Sequence, residues 1–218
     1  MASAADWQAR PPGDGTDVAD VRGEDLRNLR SRMQIIFQDP YGSLNPRMTV
    51  LEIIGEGLHL QGGFSKADIK ERVAEWLRRV GLQPDHMSRY CHEFSGGQRQ
   101  RIGIARALVL EPNFVVCDEP ISALDVSVQA EILNLLCDLR EKRDLSYLLV
   151  SHDLAVIAHM CNRIAVMSEG KLLECLTVED LRHHRCKHPY TEQLLNASML
   201  EPIAACPALA EPREEPSC

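Results

Sequence analysis

The chain has 218 residues, a formal net charge of −8 and 26% charged residues, which is the composition of an ordinary globular domain with an extension. An acidic chain of this kind disfavours binding to nucleic acid through a basic surface, so no nucleic-acid partner is expected. The longest apolar runs fit single strands and fall short of the roughly 18 residues that a membrane-spanning helix needs. The N-terminus lacks the pattern of a secretory signal, so a cytoplasmic protein is expected.

The first third of the chain predicts a strand followed by helices. Residues 1–22 are rich in Ala, Gly, Asp and Pro without periodicity, which predicts a disordered lead-in. The apolar run Met33–Phe37 predicts a strand that ends at Gln38, before a series of turn-forming residues. Apolar residues at three- and four-residue steps predict helices over 50–60 and 66–80.

The remainder of the chain predicts an alternation of helices and strands. A third helix is expected over residues 95–110, and two apolar strands are expected at 114–117 and 147–150 with a helix between them. This order predicts a βαβ unit whose parallel strands are buried on both faces. A hairpin is expected over 163–175, followed by two short helices.

Polar residues follow three of the predicted strands, where the ligands of parallel sheets usually bind. Gln38, the pair Asp118-Glu119 and His152 each stand at such a position. Asp118 is suited to hold a hydrated Mg²⁺, Glu119 to activate a water, and His152 to contact a transferring phosphate. The alternative is that these residues only begin loops and cap helices.

A second candidate site is the segment Phe94-Ser95-Gly96-Gly97-Gln98. Ser95 can cap the following helix, and the two glycines allow an anion to approach the backbone N–H groups at the positive end of that helix. The alternative is an ordinary capped helix after a glycine turn. The neighbouring run Arg99-Gln100-Arg101 predicts a solvated helix face.

Taken together, these segments resemble the nucleotide-binding subunits of ATP-binding cassette (ABC) transporters. Motifs of that family occur in the family's order from about residue 30 to residue 170. They are the Q-loop glutamine (Gln38), the signature motif (from Phe94), the Walker B strand (Phe114–Glu119), the D-loop (Ser122–Asp125) and the switch histidine (His152). The resemblance implies an α/β fold of the P-loop NTPase (RecA-like) type: a parallel sheet core, incomplete here, with an inserted α-helical subdomain and a C-terminal extension.

The resemblance also implies a division of the chain and a role for each site residue. The expected parts are a lead-in (1–22), a partial ATPase core up to the Q-loop (23–49), a helical subdomain with the signature motif (50–112), the ATPase core (113–176) and an extension with a tail (177–218). The implied ligands are ATP and Mg²⁺. The catalytic residues would be Glu119, His152 and Gln38; the metal would be held by Asp118 and Gln38; and a partner's ATP would be bound by Ser95, Gly96, Gly97 and Gln98, with Asp125 at the dimer seam.

A finer resemblance concerns the solute. The segment QDPYGSLNPRMTV from Gln38 and the segment HPYT from His188 resemble the importer subfamily for dipeptides and oligopeptides. Such a subunit pairs with a second nucleotide-binding subunit, identical or different, and docks on transmembrane permease subunits at the inner face of the cell membrane.

One expected motif of the family is not found in this sequence. The phosphate-binding pattern G-x-x-x-x-G-K-[ST] does not occur in the 218 residues, and the pair Gly170-Lys171 falls in the predicted hairpin turn. The chain therefore resembles a member truncated at its N-terminus, for which we expect weak or no independent ATP hydrolysis, an uncovered sheet and marginal stability. Two alternatives remain: an inactive interaction module that completes a partner's ATP site, and an ABC ATPase of DNA repair. The short separation between Gln38 and Ser95 disfavours the second.

Overall fold

The computed structural model describes residues 20–122, 124–143 and 145–198. Most of the predicted lead-in and the end of the predicted tail lie outside the described residues. The described helices are α1 (Gly23–Arg32), α2 (Pro40–Ser43), α3 (Val50–Gln61), α4 (Lys66–Arg79), α5 (Gly96–Leu108), α6 (Val126–Arg143), α7 (Leu154–Met160), α8 (Val178–Arg182) and α9 (Pro189–Ala197). The described strands are β1 (Met33–Ile36), β2 (Phe114–Asp118), β3 (Ser146–Val150), β4 (Arg163–Ser168) and β5 (Lys171–Thr177).

The described chain divides into two compact units at the boundary between Val150 and Ser151. The first unit contains a parallel sheet in the order β1-β2-β3. In its register Cys117 of β2 lies opposite Ile36 of β1 and Leu149 of β3. The predicted βαβ unit is therefore confirmed, with α6 as the crossover helix and β2 at the centre.

The two faces of this sheet differ in burial. Val115 and Cys117 of β2 are fully buried, whereas Ile35, Leu148 and Val150 on the opposite face are 37%, 51% and 48% exposed. The prediction that the strands are buried on both faces is therefore wrong for β3. The alternation of side chains along a strand requires a covering layer on each side for full burial, and the described chain buries one side only.

Helices α3, α4 and α5 form the insertion between β1 and β2. They pack on one another around fully buried side chains that include Ile54, Leu77 and Ile104. Their positions confirm the three helices that the apolar spacing predicts. The chain leaves α4 through Gly81, whose φ of 75° is a left-handed conformation that glycine adopts readily.

The second unit is built on the antiparallel pair β4-β5, which confirms the predicted hairpin. Its two-residue turn, Glu169-Gly170, has positive φ at both positions (50° and 73°), as a type I′ turn requires. Ile164, Leu181 and Leu195 join this hairpin to α8 and α9 in one apolar core. Among the described residues, no helix is both long enough and apolar enough to cross a membrane.

Candidate active site at the carboxyl edge of the parallel sheet

Two of the predicted catalytic residues meet where β1 and β2 end. Gln38 stands two residues beyond β1, and Glu119 follows the last residue of β2. The side-chain Nε2 of Gln38 donates a hydrogen bond to Oε2 of Glu119 over 2.6 Å. Asp118 ends β2 and pairs with Val150 of β3. The carboxyl edge of the sheet therefore carries two adjacent carboxylates, one of them oriented by an amide.

The backbone of Glu119 fixes the position of its carboxylate. Its φ is 41°, a left-handed value that is uncommon for a residue with a side chain. The Glu119 N–H donates to the carbonyl of Val150 (2.9 Å), and the Glu119 carbonyl accepts from the N–H (3.3 Å) and the hydroxyl (3.2 Å) of Ser122. These bonds hold the strained residue on both sides, which is a common arrangement at functional sites.

The second predicted site lies at the beginning of α5. Ser95 is the N-cap: its hydroxyl accepts from the Gln98 N–H (3.3 Å), and Gln98 Oε1 accepts from the Ser95 N–H (3.1 Å). This reciprocal arrangement is a capping box. Gly96 and Gly97 occupy the first two helical positions, where free backbone N–H groups point out of the helix.

The charge of this helix end distinguishes it from the other capped helices. In α3, α4 and α8 the partner of the cap is a carboxylate, namely Glu52, Asp68 or Asp180. Hydrogen bonds from the N-cap residues lower the pKa of each of these carboxyls, so they are ionised at neutral pH. The partner of Ser95 is the neutral Gln98, and the first turn of α5 has no acidic residue. The positive end of α5 is therefore left available to an anion.

The start of α5 packs closely against α6. A Cβ at Gly97 would lie 2.6 Å from Cγ1 of Val128, so a larger residue at this position would require Val128 to shift. Gly96 faces Leu124, and Gln129 Nε2 donates to the carbonyl of Leu124 (3.0 Å). The predicted signature segment and the segment that precedes α6 are thus neighbours. Asp125, the predicted seam residue, lies exposed just before α6.

The predicted switch histidine lies in the second unit. His152 is exposed and follows β3 by two residues, and the next residue, Asp153, caps α7 by accepting from the N–H of Ala155 (2.8 Å). The catalytic role of His152 stays a prediction.

The structure corrects the prediction that residues 99–101 form a solvated helix face. Gln100 is 2% exposed, and its Nε2 donates to the carbonyl of Pro120 over 2.6 Å. Arg101 donates to the carbonyl of Val80 (2.8 Å) and pairs with Glu131. The sequence spacing could have indicated that Gln100 is buried, because it stands four residues before the apolar Ile104 and therefore on the same side of α5.

Two arginines of α5 contact α2, the short helix that follows Gln38. The guanidinium of Arg99 lies 3.9 Å from the centre of the Tyr41 ring, in a cation–π contact. Arg106 donates from Nη1 to the carbonyl of Ser43. Helix α2, which follows Gln38, is therefore attached to α5.

Comparison with known proteins gives the family of this chain. The family model for "ABC transporter" matches residues 11–122. A protein of Brucella ovis whose name refers to peptide import and ATP binding is 55% identical over 184 residues, or 84% of this chain and 58% of the relative. The Dipeptide transport ATP-binding protein DppF of Lactococcus lactis subsp. cremoris is 54% identical over 185 residues, or 84% of this chain and 59% of the relative.

The fold comparison gives the same family. A solved ATP-binding cassette dimer in a post-hydrolysis state, bound to ADP and Pi, matches with a TM-score of 0.67 and 28% identity over 76% of this chain and 71% of that one. This match confirms the predicted P-loop NTPase-type α/β fold. The chain spans about 58% of the length of the first of these curated relatives. Since the family model covers more than half of the chain, this protein belongs to the ABC transporter family.

Proposed function

We propose that this chain is part of the ATP-binding and ATP-hydrolysing subunit of an importer for dipeptides and oligopeptides. The observation that carries the proposal is the hydrogen bond of 2.6 Å from Gln38 to Glu119 at the carboxyl edge of the parallel sheet. A general base must be held at the place where it meets its proton. The amide of Gln38 and the backbone bonds of Glu119 supply that restraint.

In the proposed reaction, Glu119 accepts the proton of the water that attacks the γ-phosphorus of ATP. The bond between that phosphorus and the bridging oxygen of ADP breaks as the new P–O bond forms. His152 contacts the γ-phosphate by donating a hydrogen bond. Glu119 directly follows β2, at the edge of the sheet where ligands of parallel sheets bind.

The donor set of the site fits Mg²⁺. Asp118 offers carboxylate oxygens at the end of β2, and these are the ligands that the ion prefers. Because the amide nitrogen of Gln38 donates to Glu119, the amide oxygen is the atom left to face a metal ion. When bound, Mg²⁺ neutralises phosphate charge.

The N-terminus of α5 would bind the ATP of a second nucleotide-binding subunit. The lack of an acidic residue in its first turn, its two glycines and the neutral Gln98 suit a phosphate group. Asp125 precedes α6 beside this segment and would lie at the seam between the subunits. The similar solved structure is a dimer bound to ADP and Pi, which supports this assignment.

The names of the relatives support the proposed solute and place in the cell. Peptide import and dipeptide transport are in the names of the relatives at 55% and 54% identity. Within this chain, the segment after Gln38 and the segment from His188 resemble that subfamily. We therefore place the protein on permease subunits at the cytoplasmic face of the membrane.

The test uses the subunits that co-purify with the tagged chain from its source cells, reconstituted in vesicles. ATP hydrolysis and uptake of labelled di- and tetrapeptides are measured for the native protein, for Glu119→Gln and for a control, Glu169→Gln in the hairpin turn. We expect Glu119→Gln to abolish both activities while calorimetry still detects binding of Mg-ATP to the complex, and the control to retain both. Unchanged hydrolysis in Glu119→Gln would refute the proposed role of this residue, and hydrolysis without peptide uptake would refute the proposed solute.

A further inference from the structure

We infer that Gln100 is a positioning residue for Glu119, acting through the carbonyl of Pro120. The function inferred for this contact rests on the proposed catalytic role of Glu119. The hydrogen bond itself is independent of that role. Gln100 lies in α5 and is 2% exposed, and its Nε2 is 2.6 Å from the Pro120 oxygen.

The burial of Gln100 indicates that its amide has a specific task. Its neighbours on the buried side of α5, Ile104 and Leu108, are apolar, and a leucine or methionine would fill the same space. A buried amide without a partner costs free energy, so the position favours glutamine only because the amide is hydrogen-bonded. The bond also satisfies a main-chain acceptor that would otherwise be buried without a donor.

The acceptor stands directly after the strained residue. Glu119 has a φ of 41°, and Pro120 has no N–H with which to fix its own peptide. The Glu119 N–H and carbonyl are bonded to Val150 and Ser122. The Pro120 carbonyl is bonded to Gln100. Without that last bond, the peptide between Pro120 and Ile121 loses a side-chain restraint, and the turn that holds Glu119 at its strained φ can relax, which would move the carboxylate.

A second glutamine acts on the next residue of the same turn. Gln129 of α6 donates from Nε2 to the carbonyl of Ile121 (3.2 Å). Consecutive carbonyls of the turn are thus held by side-chain amides from two helices, α5 and α6. Since Ser95 caps α5, the helix end proposed to bind a partner's nucleotide is joined to the proposed catalytic turn of its own subunit by the amide of Gln100.

The test is amide hydrogen exchange by NMR on the whole chain, without nucleotide. Gln100→Met keeps the length and apolar body of the side chain and removes the donor. Ile102→Val, at another fully buried position of α5, is the control for general loss of stability. We expect Gln100→Met to accelerate exchange at Glu119 and Ser122 by about tenfold relative to the β2 amides of the same variant. In Ile102→Val, all of these amides should change by one common factor.

Two outcomes overturn the inference. One is exchange at Glu119 and Ser122 in Gln100→Met that changes only as much as exchange in β2. The other is an unchanged ¹³Cδ signal of the Glu119 carboxylate in that variant. In the reconstituted complex, Gln100→Met should also lower kcat about tenfold with KM for ATP within about twofold, because positioning acts on the reacting group. If the native complex hydrolyses no ATP, the proposed function fails, and the exchange result still decides the contact.

Discussion

Gln38 and Glu119 are 81 positions apart in the chain, yet the amide of the first donates a hydrogen bond of 2.6 Å to the carboxylate of the second. The parallel pairing of β1 with β2 brings them together, since Ile36 lies opposite Cys117 and both strands end at the same edge. Helices α3 to α5 lie between the two strands in sequence. The meeting of Gln38 with Glu119 at the carboxyl edge of the sheet therefore depends on how this helical insertion returns the chain to β2.

Removing the donor of that bond should impair hydrolysis more than folding. We expect Gln38→Leu to lower kcat of the reconstituted complex by about 10²-fold, because the base is no longer oriented. The midpoint of thermal unfolding should change little, since the bond is exposed. Gln34→Leu, at a glutamine near the start of β1 and away from the carboxyl edge, is the control and should leave kcat within about twofold. A Gln38→Leu variant with native kcat would contradict the role of this bond.

The importance of an uncharged side chain at Gln98 can be tested by replacing it with glutamate. The capping boxes of α3, α4 and α8 have a carboxylate at the same position. Gln98→Glu preserves the capping box and should leave the unfolding midpoint unchanged or slightly raised, since an acid stabilises a helix N-terminus. The added charge should lower ATP hydrolysis of the complex about tenfold or more by repelling phosphate. Glu52→Gln, the reverse change in the capping box of α3, should leave hydrolysis unaltered. Equal hydrolysis in Gln98→Glu and native protein would exclude an anion at this helix end.

The capping box of α3 should show a defined pH dependence. The backbone N–H of Thr49 lowers the pKa of Glu52 below its ordinary value of 4.5. A carboxyl whose pKa is lower in the folded state adds stability that is present above pH 4.5 and is lost as pH falls through the folded pKa. The unfolding midpoint of the native protein, minus that of Glu52→Gln, should therefore decrease below about pH 4.5. A difference that stays constant from pH 7 to pH 3 would contradict this assignment.

The tight contact at Gly97 should be sensitive to a single methyl group. A Cβ there would lie 2.6 Å from Val128 Cγ1, whereas a Cβ at Gly103 of the same helix would meet nothing within 4 Å. We expect Gly97→Ala to lower the free energy of unfolding by about 1–3 kcal/mol, and Gly103→Ala to raise it by about 0.5–1 kcal/mol. Urea titration measures both. Val128→Ala in the Gly97→Ala background should recover part of the loss, and no recovery would exclude the steric cause.

Because one face of the sheet is exposed, we expect the change from valine to threonine to affect stability differently at Val150 and at Val115. Val150→Thr, at a side chain that is 48% exposed, should change the free energy of unfolding by no more than about 0.5 kcal/mol and should reduce light scattering in concentrated samples. Val115→Thr, at a fully buried site, should cost about 1–3 kcal/mol because the hydroxyl loses its water. Equal losses at both sites would show that the face of Val150 is covered in solution.

The element types were predictable where apolar spacing was regular. The run at Met33–Phe37 and the periodicity around Val73 and Leu77 each match the structure, because the buried face of an element repeats with its geometry. The meeting of Gln38 with Glu119 was predictable from parallel strand ends. The burial of β3 was not, since an apolar strand does not encode the layer that covers it. Gln100 was missed because residue type alone does not distinguish a buried polar side chain from a solvated one.

Arg99 and Arg106 connect α5 to the short helix α2 at two points. The helix has 13 residues, which corresponds to about 20 Å of rigid length. Tyr41 is held near one end of it and Ser43 near the other. A tilt of about 10° about the end at Ser95 would displace the far end by about 3 Å. Because α2 is attached to α5 at both points, a displacement of α2 would be passed to the helix that Ser95 caps.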